Sequence, residues 1–258
     1  VNVCAETYES GERHFAADAI ACLGKGFHVQ PPGIPGRLGG VFHAGSVKEY
    51  RENALMTSAP PSSQAESRAL ILGSTSRYRR ELVSRLGLPF EAIAPDVDET
   101  PQPGEKPADL ALRLAIAKAR DVARRHPQAV VIGSDQVADL AGEPLGKPGT
   151  HERAVAQLRR MRGQTVVFQT ALAVVCASTG FEQSDIAAVR VVFRDLSDEE
   201  IEHYLRSEQP YDCAGSAKSE GLGIALLERI DNDDPTALVG LPLIRTCRMI
   251  RAAGVRVL

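Results

Sequence analysis

An α/β domain is predicted from three features of the sequence. Short apolar runs alternate with stretches of helical period from Ala69 onward, a Ser/Thr turn joins the first such pair, and a β-rich hairpin adds antiparallel strands later in the chain. The first strand is residues 69–73 (ALILG), followed by the turn Ser74-Thr75-Ser76 and a helix over about 77–86. Pro107 suits the first turn of a long helix reaching about Arg125, because its fixed φ is already helical and its missing N–H has no partner there anyway. Residues 129–132 form a short, fully apolar strand that ends in Gly133-Ser134-Asp135-Gln136.

Thr150 can cap a helix whose Ala154, Leu158 and Met161 recur at i, i+4 and i+7, with Gly163 as a left-handed stop. Residues 165–176 and 186–193 flank a turn at Ser178-Thr179-Gly180 and read as a hairpin. Ser197 and Glu200 have the spacing of a capping box, and Leu196 with Ile201 that of a hydrophobic staple. A glycine-rich segment over 213–223 leads to a strand near 224–228, an acidic turn and a last helix beginning at Leu241-Pro242.

Residues 1–66 read differently, as a low-order extension ahead of a domain over 67–258. Gly33, Gly36, Gly39, Gly40 and Gly45 cluster around Pro31, Pro32 and Pro35 with no sustained period of 2 or 3.6. The first methionine is Met56, followed by a polar leader over 57–67, so Met56 is the expected start of the protein.

The formal charge of −3 gives no bulk attraction to a nucleic acid polymer or an anionic membrane, and the absence of Trp argues against stacking platforms. Cys4, Cys22, Cys176, Cys213 and Cys247 are an odd number without a C-x-x-C pair, which fits free thiols in the cytoplasm. No apolar run approaches the ~20 residues needed to span a bilayer. There is no G-x-S-x-G, H-E-x-x-H, Walker loop or G-x-G-x-x-G, so serine hydrolase, zincin, P-loop and dinucleotide chemistries are disfavoured.

What does carry chemistry is a set of anion-binding and carboxylate signals. Ser74, Thr75 and Ser76 lead into Arg77, Arg79 and Arg80, where hydroxyls, helix N-terminal N–H groups and guanidinium forks can converge on a phosphate. Cations disfavour a helix N-terminus on dipole grounds, so three arginines there want a ligand or full solvation. Lys118 shares the apolar stripe of Ala111, Leu114 and Val122; it either snorkels to water or reaches a phosphate in a cleft. Lys147 adds a cation on the tight loop Leu145-Gly146-Lys147-Pro148. Asp135, at the carboxyl end of a strand, is the leading catalytic candidate, able to hold a metal or activate water, or else to cap a turn. Asp96, Asp98 and Glu99 are a second carboxylate run with the oxygen ligands Mg²⁺ prefers, or a solvated loop. Asp231, Asp233 and Asp234 lack the Gly and distal Glu of a calcium loop and read as a turn.

Taken in order, Ser74-Thr75-Ser76 with Arg79-Arg80, Asp96-Val97-Asp98-Glu99, Lys118-Ala119, Gly133-Ser134-Asp135-Gln136 and Leu145-Gly146-Lys147-Pro148 resemble the Maf family of nucleotide pyrophosphatases. Cys213-Ala214-Gly215-Ser216-Ala217-Lys218-Ser219-Glu220-Gly221 and Leu238-Val239-Gly240-Leu241-Pro242 continue the resemblance, which covers about 69–258. It implies an elongated mixed β-sheet with flanking helices, of the Maf/inosine-triphosphatase type, with a nucleotide cleft between two lobes. It further implies a nucleoside triphosphate pyrophosphatase that cuts between the α and β phosphates with a divalent metal, Mg²⁺ or Mn²⁺, and a homodimer.

On that resemblance Ser74, Ser76, Arg79, Arg80, Lys118 and Lys147 bind the triphosphate, Glu99 and Asp135 hold metal, and Asp135 matches the proton acceptor. Tyr78, Gln136 and Glu220 resemble the specificity positions of the 7-methyl-GTP branch; the UTP/dTTP branch typically carries arginine, threonine and glutamine there. The chemistry agrees, because a glutamate accepts from both N1–H and N2–H of guanine, and a cationic methylated ring favours an aromatic face. Arg77 stands where the family usually has proline, and Tyr78 where this branch often has tryptophan, the better cation partner. The rivals are UTP/dTTP hydrolysis and a non-catalytic, nucleotide-binding regulator of septum formation, a role the family name suggests.

Overall fold

The computed structural model describes residues 68–258. The expectations for residues 1–66 and for a start at Met56 lie outside them. One mixed sheet forms the spine, ordered β2 (Phe90–Ile93), β1 (Leu70–Gly73), β3 (Val130–Leu140), β5 (Thr165–Cys176), β6 (Phe181–Phe193) and β7 (Leu227–Asp231), with β4 (Glu143–Leu145) on β3. The β2-β1-β3 side is parallel and the rest antiparallel, as the hairpin signal anticipates. The helices are α1 (Arg77–Ser84), α2 (Pro107–Arg125), α3 (His151–Met161), α4 (Asp198–Glu208) and α5 (Leu243–Ala252). None of the described helices is long and apolar enough to cross a membrane.

Local signals account for the helix boundaries. Ser76 caps α1 by accepting from the Arg79 N–H, and Thr150 caps α3 by accepting from the Arg153 N–H. The Ser197/Glu200 capping box of α4 is formed in both directions, with Leu196 and Ile201 both buried beneath it. Asp234, from the acidic turn, is buried and accepts from the Ile244 and Arg245 N–H groups, so it satisfies donors at the start of α5.

Three apolar clusters divide the molecule into two lobes. Two of them sandwich the parallel side of the sheet, one built from Leu72, Val130 and Leu241 and the other from Ala115, Val131 and Ala173. The third joins α3 and α4 to the far ends of β5 and β6 through Leu158, Phe168, Val189 and Leu205. Strands β3 and β5 run from one lobe into the other. Ile132 and Val137 belong to the first lobe, Ala138 to the second, and Asp135 and Gln136 fall close to the waist.

Several strands differ from the sequence expectation. β3 does not stop at Ile132 but continues to Leu140, so Asp135 lies inside a strand rather than at its end. The polar run survives there because the Ser134 hydroxyl, fully buried, donates toward the Ala171 and Gly240 carbonyls. β6 begins at Phe181, five residues before Ile186, pairing directly with Cys176, and β7 starts at Leu227 after a 3-10 turn over Leu222–Leu226. β2 and β4 are short edge strands that hydrophobic periodicity did not signal.

Gly133 marks where α2 presses onto β3. A methyl group there would sit 2.3 Å from the Ala115 carbonyl oxygen and 2.6 Å from the Ala119 nitrogen, both backbone atoms that cannot yield cheaply. Gly133→Ala is therefore expected to destabilise the protein by about 3 kcal/mol through overpacking. Urea denaturation at equilibrium checks this; a midpoint equal to that of the wild type would contradict the close crossing.

Candidate active site

The site forms where the sheet opens. β1 pairs with β3 only as far as Gly73↔Gly133, and β4 pairs with the same strand only from Ala138 to Leu140. Between them residues 134–137 of β3 meet β5 on one edge and no strand on the other among the described residues. The Ser74-Thr75-Ser76 turn leaves the end of β1 at this gap, and the loop carrying Lys147 leaves the end of β4. Asp135 thus lies at the carboxyl end of the parallel strands, although its own strand runs on.

The close crossing at Gly133 carries Lys118, the residue before Ala119, over Asp135. The Lys118 ammonium is buried at 5% exposure and donates to Asp135 Oδ1 at 2.7 Å, while Glu99 Oε1 lies 2.7 Å away on its other side. Of the two sequence readings, snorkelling is excluded. Asp135 is 8% exposed, whereas the Glu99 side chain is 59% exposed and comes from the loop before α2. Burial raises the Glu99 carboxyl, but the Lys118 hydrogen bond and the charges of Lys118, Lys147 and Arg79 outweigh it and hold the group below its ordinary value. Lys147 is exposed, yet near enough to act on Glu99.

The anion loop takes shape beside this triad. The Ser74 hydroxyl is buried and accepts from the Ser76 N–H at 3.2 Å. Arg79 is half-buried; its Nε donates to the Gly240 carbonyl at 2.8 Å and its Nη1 reaches Ser74 Oγ at 3.5 Å. Burial lowers the Arg79 guanidinium while the Asp135 and Glu99 charges pull it back up, which places it in the same electrostatic neighbourhood. Arg80 is exposed, with no ion pair among the described residues.

The three specificity candidates have different surroundings. The Tyr78 hydroxyl accepts from Arg77 at 2.6 Å, donates to Asp212 Oδ1 at 3.3 Å and lies 3.5 Å from the Cys213 thiol. The Arg77 guanidinium covers one face of its ring at 4.7 Å. Glu220 is exposed in the glycine-rich segment; burial, helped by the charges of Asp212 and then Glu220, pushes the Cys213 thiol up to about 11. Gln136 instead donates its amide toward Thr170 Oγ1 and the Ala237 and Leu238 carbonyls, leaving Oε1 without a donor among the described residues.

The run Leu238-Val239-Gly240-Leu241-Pro242 carries part of the resemblance, but sequence reasoning gave no role to the strap that residues 237–240 form. Arg79, Ser134, Thr170 and Gln136 all donate to its carbonyls. The buried polar residues of β3 and β5 were the available signal, but their partners lie between 67 and 106 residues away in sequence. Asp96 and Asp98 stay out of the site: Asp96 offers its N–H to Asp121, and Asp98 accepts from the Thr100 N–H in its own turn.

Among the described residues no three His, Cys, Asp or Glu side chains converge as a complete metal cage. Glu99 and Asp135 each place one carboxylate oxygen 2.7 Å from the Lys118 ammonium, so hard oxygen donors from two segments reach the same spot. That set fits Mg²⁺ or Mn²⁺ held partly by protein and partly by substrate phosphates and water.

Comparison with known proteins agrees in extent with these elements. The family model described as Maf-like protein matches residues 69–253. A 7-methyl-GTP pyrophosphatase of Polaromonas sp. (strain JS666 / ATCC BAA-500) is 80% identical over 189 residues, covering 73% of this chain and 86% of that protein. A 7-methyl-GTP pyrophosphatase of Albidiferax ferrireducens is 70% identical over 196 residues, covering 76% of this chain and 98% of its own length. One of Bordetella pertussis is 62% identical over 185 residues, covering 72% and 92%.

Proposed function

The chain belongs to the Maf family, and from that premise we propose that it hydrolyses 7-methyl-GTP at the α–β anhydride to 7-methyl-GMP and pyrophosphate, removing a modified nucleotide before a polymerase can use it. The carrying observation is the buried Lys118 held between Asp135 and Glu99 at the break in the sheet, beside the Ser74–Arg79 loop. The relatives named for this activity support the choice of substrate.

In this reading Ser74, Ser76 and the free edge of Arg79 hold the distal phosphates, and Lys147 and Lys118 neutralise the chain of charge between them and the α phosphorus. Arg80, exposed beside them, adds attraction from the rim. Asp135 accepts the proton of the attacking water, and Glu99 keeps Lys118 and Asp135 in register. Glu99 and Asp135 are the residues that would hold a divalent cation, which would supply charge neutralisation and a more acidic water. Catalysis is then mostly positioning and electrostatics.

The base lies against the face of Tyr78 that Arg77 leaves open. Glu220 accepts from guanine N1–H and N2–H, and Gln136 Oε1 is a further acceptor left open by the hydrogen bonds of its own amide nitrogen. Glu220 and Asp212 together favour the positive charge of the methylated ring. The test is pyrophosphate release by the full chain with Mg²⁺ or Mn²⁺ from 7-methyl-GTP, GTP, UTP and dTTP. The expected order puts 7-methyl-GTP first, and Glu220→Gln lowers its advantage over UTP about tenfold. A wild-type preference for UTP or dTTP would overturn the base assignment, and bound nucleotide without turnover would favour the septum regulator.

A further inference from the structure

We infer that Glu208 positions Glu220, by fastening both ends of the strap that carries it to the last turn of α4; the inference rests on the reading of Glu220 as the base-contacting residue. Glu208 is the last residue of α4 and its side chain is mostly buried. Oε1 pairs with the Lys218 ammonium, and Oε2 accepts from the Leu222 N–H at 2.8 Å. A third tie comes from the Lys218 N–H, which donates to the hydroxyl of buried Tyr204 at 3.0 Å. Glu220 sits midway between the tied residues, exposed at the apex, whereas Ser219 turns inward to line an apolar cavity with Phe168, Val191, Phe193 and Leu238.

Two glycines make this closure possible. A Cβ on Gly221 would lie 2.5 Å from Glu208 Oε2, and one on Gly223 would lie 2.5 Å from the Lys218 carbonyl oxygen. The strap therefore folds down onto the carboxylate and back onto its own first residue. Helix stability does not explain the glutamate. A carboxylate in the last turn of α4 faces the negative end of the helix dipole and costs stability there. Its two strap contacts are what offset that cost, and they also hold it ionised below its ordinary value.

The experiment is steady-state kinetics of the full chain on 7-methyl-GTP and UTP, for the wild type, Glu208→Gln, Glu220→Gln and the double variant. Glutamine keeps the shape but loses the charge that Lys218 needs. Glu208→Gln is expected to lower the preference for 7-methyl-GTP about tenfold through KM, with kcat nearly unchanged, and to add nothing once Glu220 is already glutamine. Lys218→Met, cutting the same tie from the other side, gives the same loss of preference. Equal losses on both substrates, or effects that multiply in the double variant, would overturn the positioning role. A wild type preferring UTP would sink the substrate reading instead, and the coupling of the two positions would then be read on that preference.

Discussion

Asp135→Asn leaves a folded protein whose kcat is about 10³-fold lower, the scale of losing a general base. Asparagine is nearly isosteric, and its Oδ1 can still accept from Lys118, so the crossing of α2 over β3 persists. On the proposed mechanism, what disappears is the basic oxygen that takes the proton of water and one of the two carboxylates that would bind a divalent cation. KM for the triphosphate changes little or falls, because a negative charge facing the phosphates has been removed. Single-turnover kinetics together with a thermal melt check this, and near-normal turnover would move the base to another residue.

Lys118→Met is expected to lower kcat/KM about 10²–10³-fold, the range seen when one donor to developing phosphate charge is lost. It acts by two routes. The ammonium no longer meets the substrate, and Asp135 and Glu99 are left facing each other without the cation between them. Methionine fills the apolar stripe of α2, so the variant should fold, with a lowered urea midpoint from the unpaired buried Asp135. Lys118→Arg separates the routes: it restores charge to the carboxylates and stability, but its planar fork does not fit the site of a compact ammonium, so activity stays low. Full activity in Lys118→Met would remove the triad from the mechanism.

The gap in the sheet explains why such a costly cluster is tolerated. A buried lysine and aspartate in a closed core would be replaceable by apolar residues at little loss. Here they border an edge of β3 that neither β1 nor β4 covers, the opening through which the proposed substrate would reach them. Gly133 then has a functional consequence beyond packing, since the same close crossing that forbids a side chain there sets the Lys118–Asp135 distance.

Legibility in the sequence followed the range of the interaction. The caps at Thr150 and Ser197 were readable because both partners lie within three residues. Lys118 was readable as an anomaly on an apolar stripe, Asp135 as a carboxylate ending an apolar strand and Glu99 as part of an acidic run, but their meeting at one ammonium was not. β3 was cut short because Gly133-Ser134-Asp135 looks like a turn; its glycine answers a helix, and its serine answers a strap more than a hundred residues away. β7 was placed three residues early because the apolar run Leu222–Leu226 forms a 3-10 turn before the strand begins. Glu208 gave no signal at all, since a glutamate ending a helix looks like any solvated charge until the strap is seen folded over it.

The most direct measurement of the central claim is hydrolysis of 7-methyl-GTP by the full chain in ¹⁸O-labelled water, with the label located by mass spectrometry. Water directed by Asp135 at the α phosphorus places the label in 7-methyl-GMP and none in pyrophosphate. Label in pyrophosphate, or release of a nucleoside diphosphate with labelled phosphate, would contradict the account.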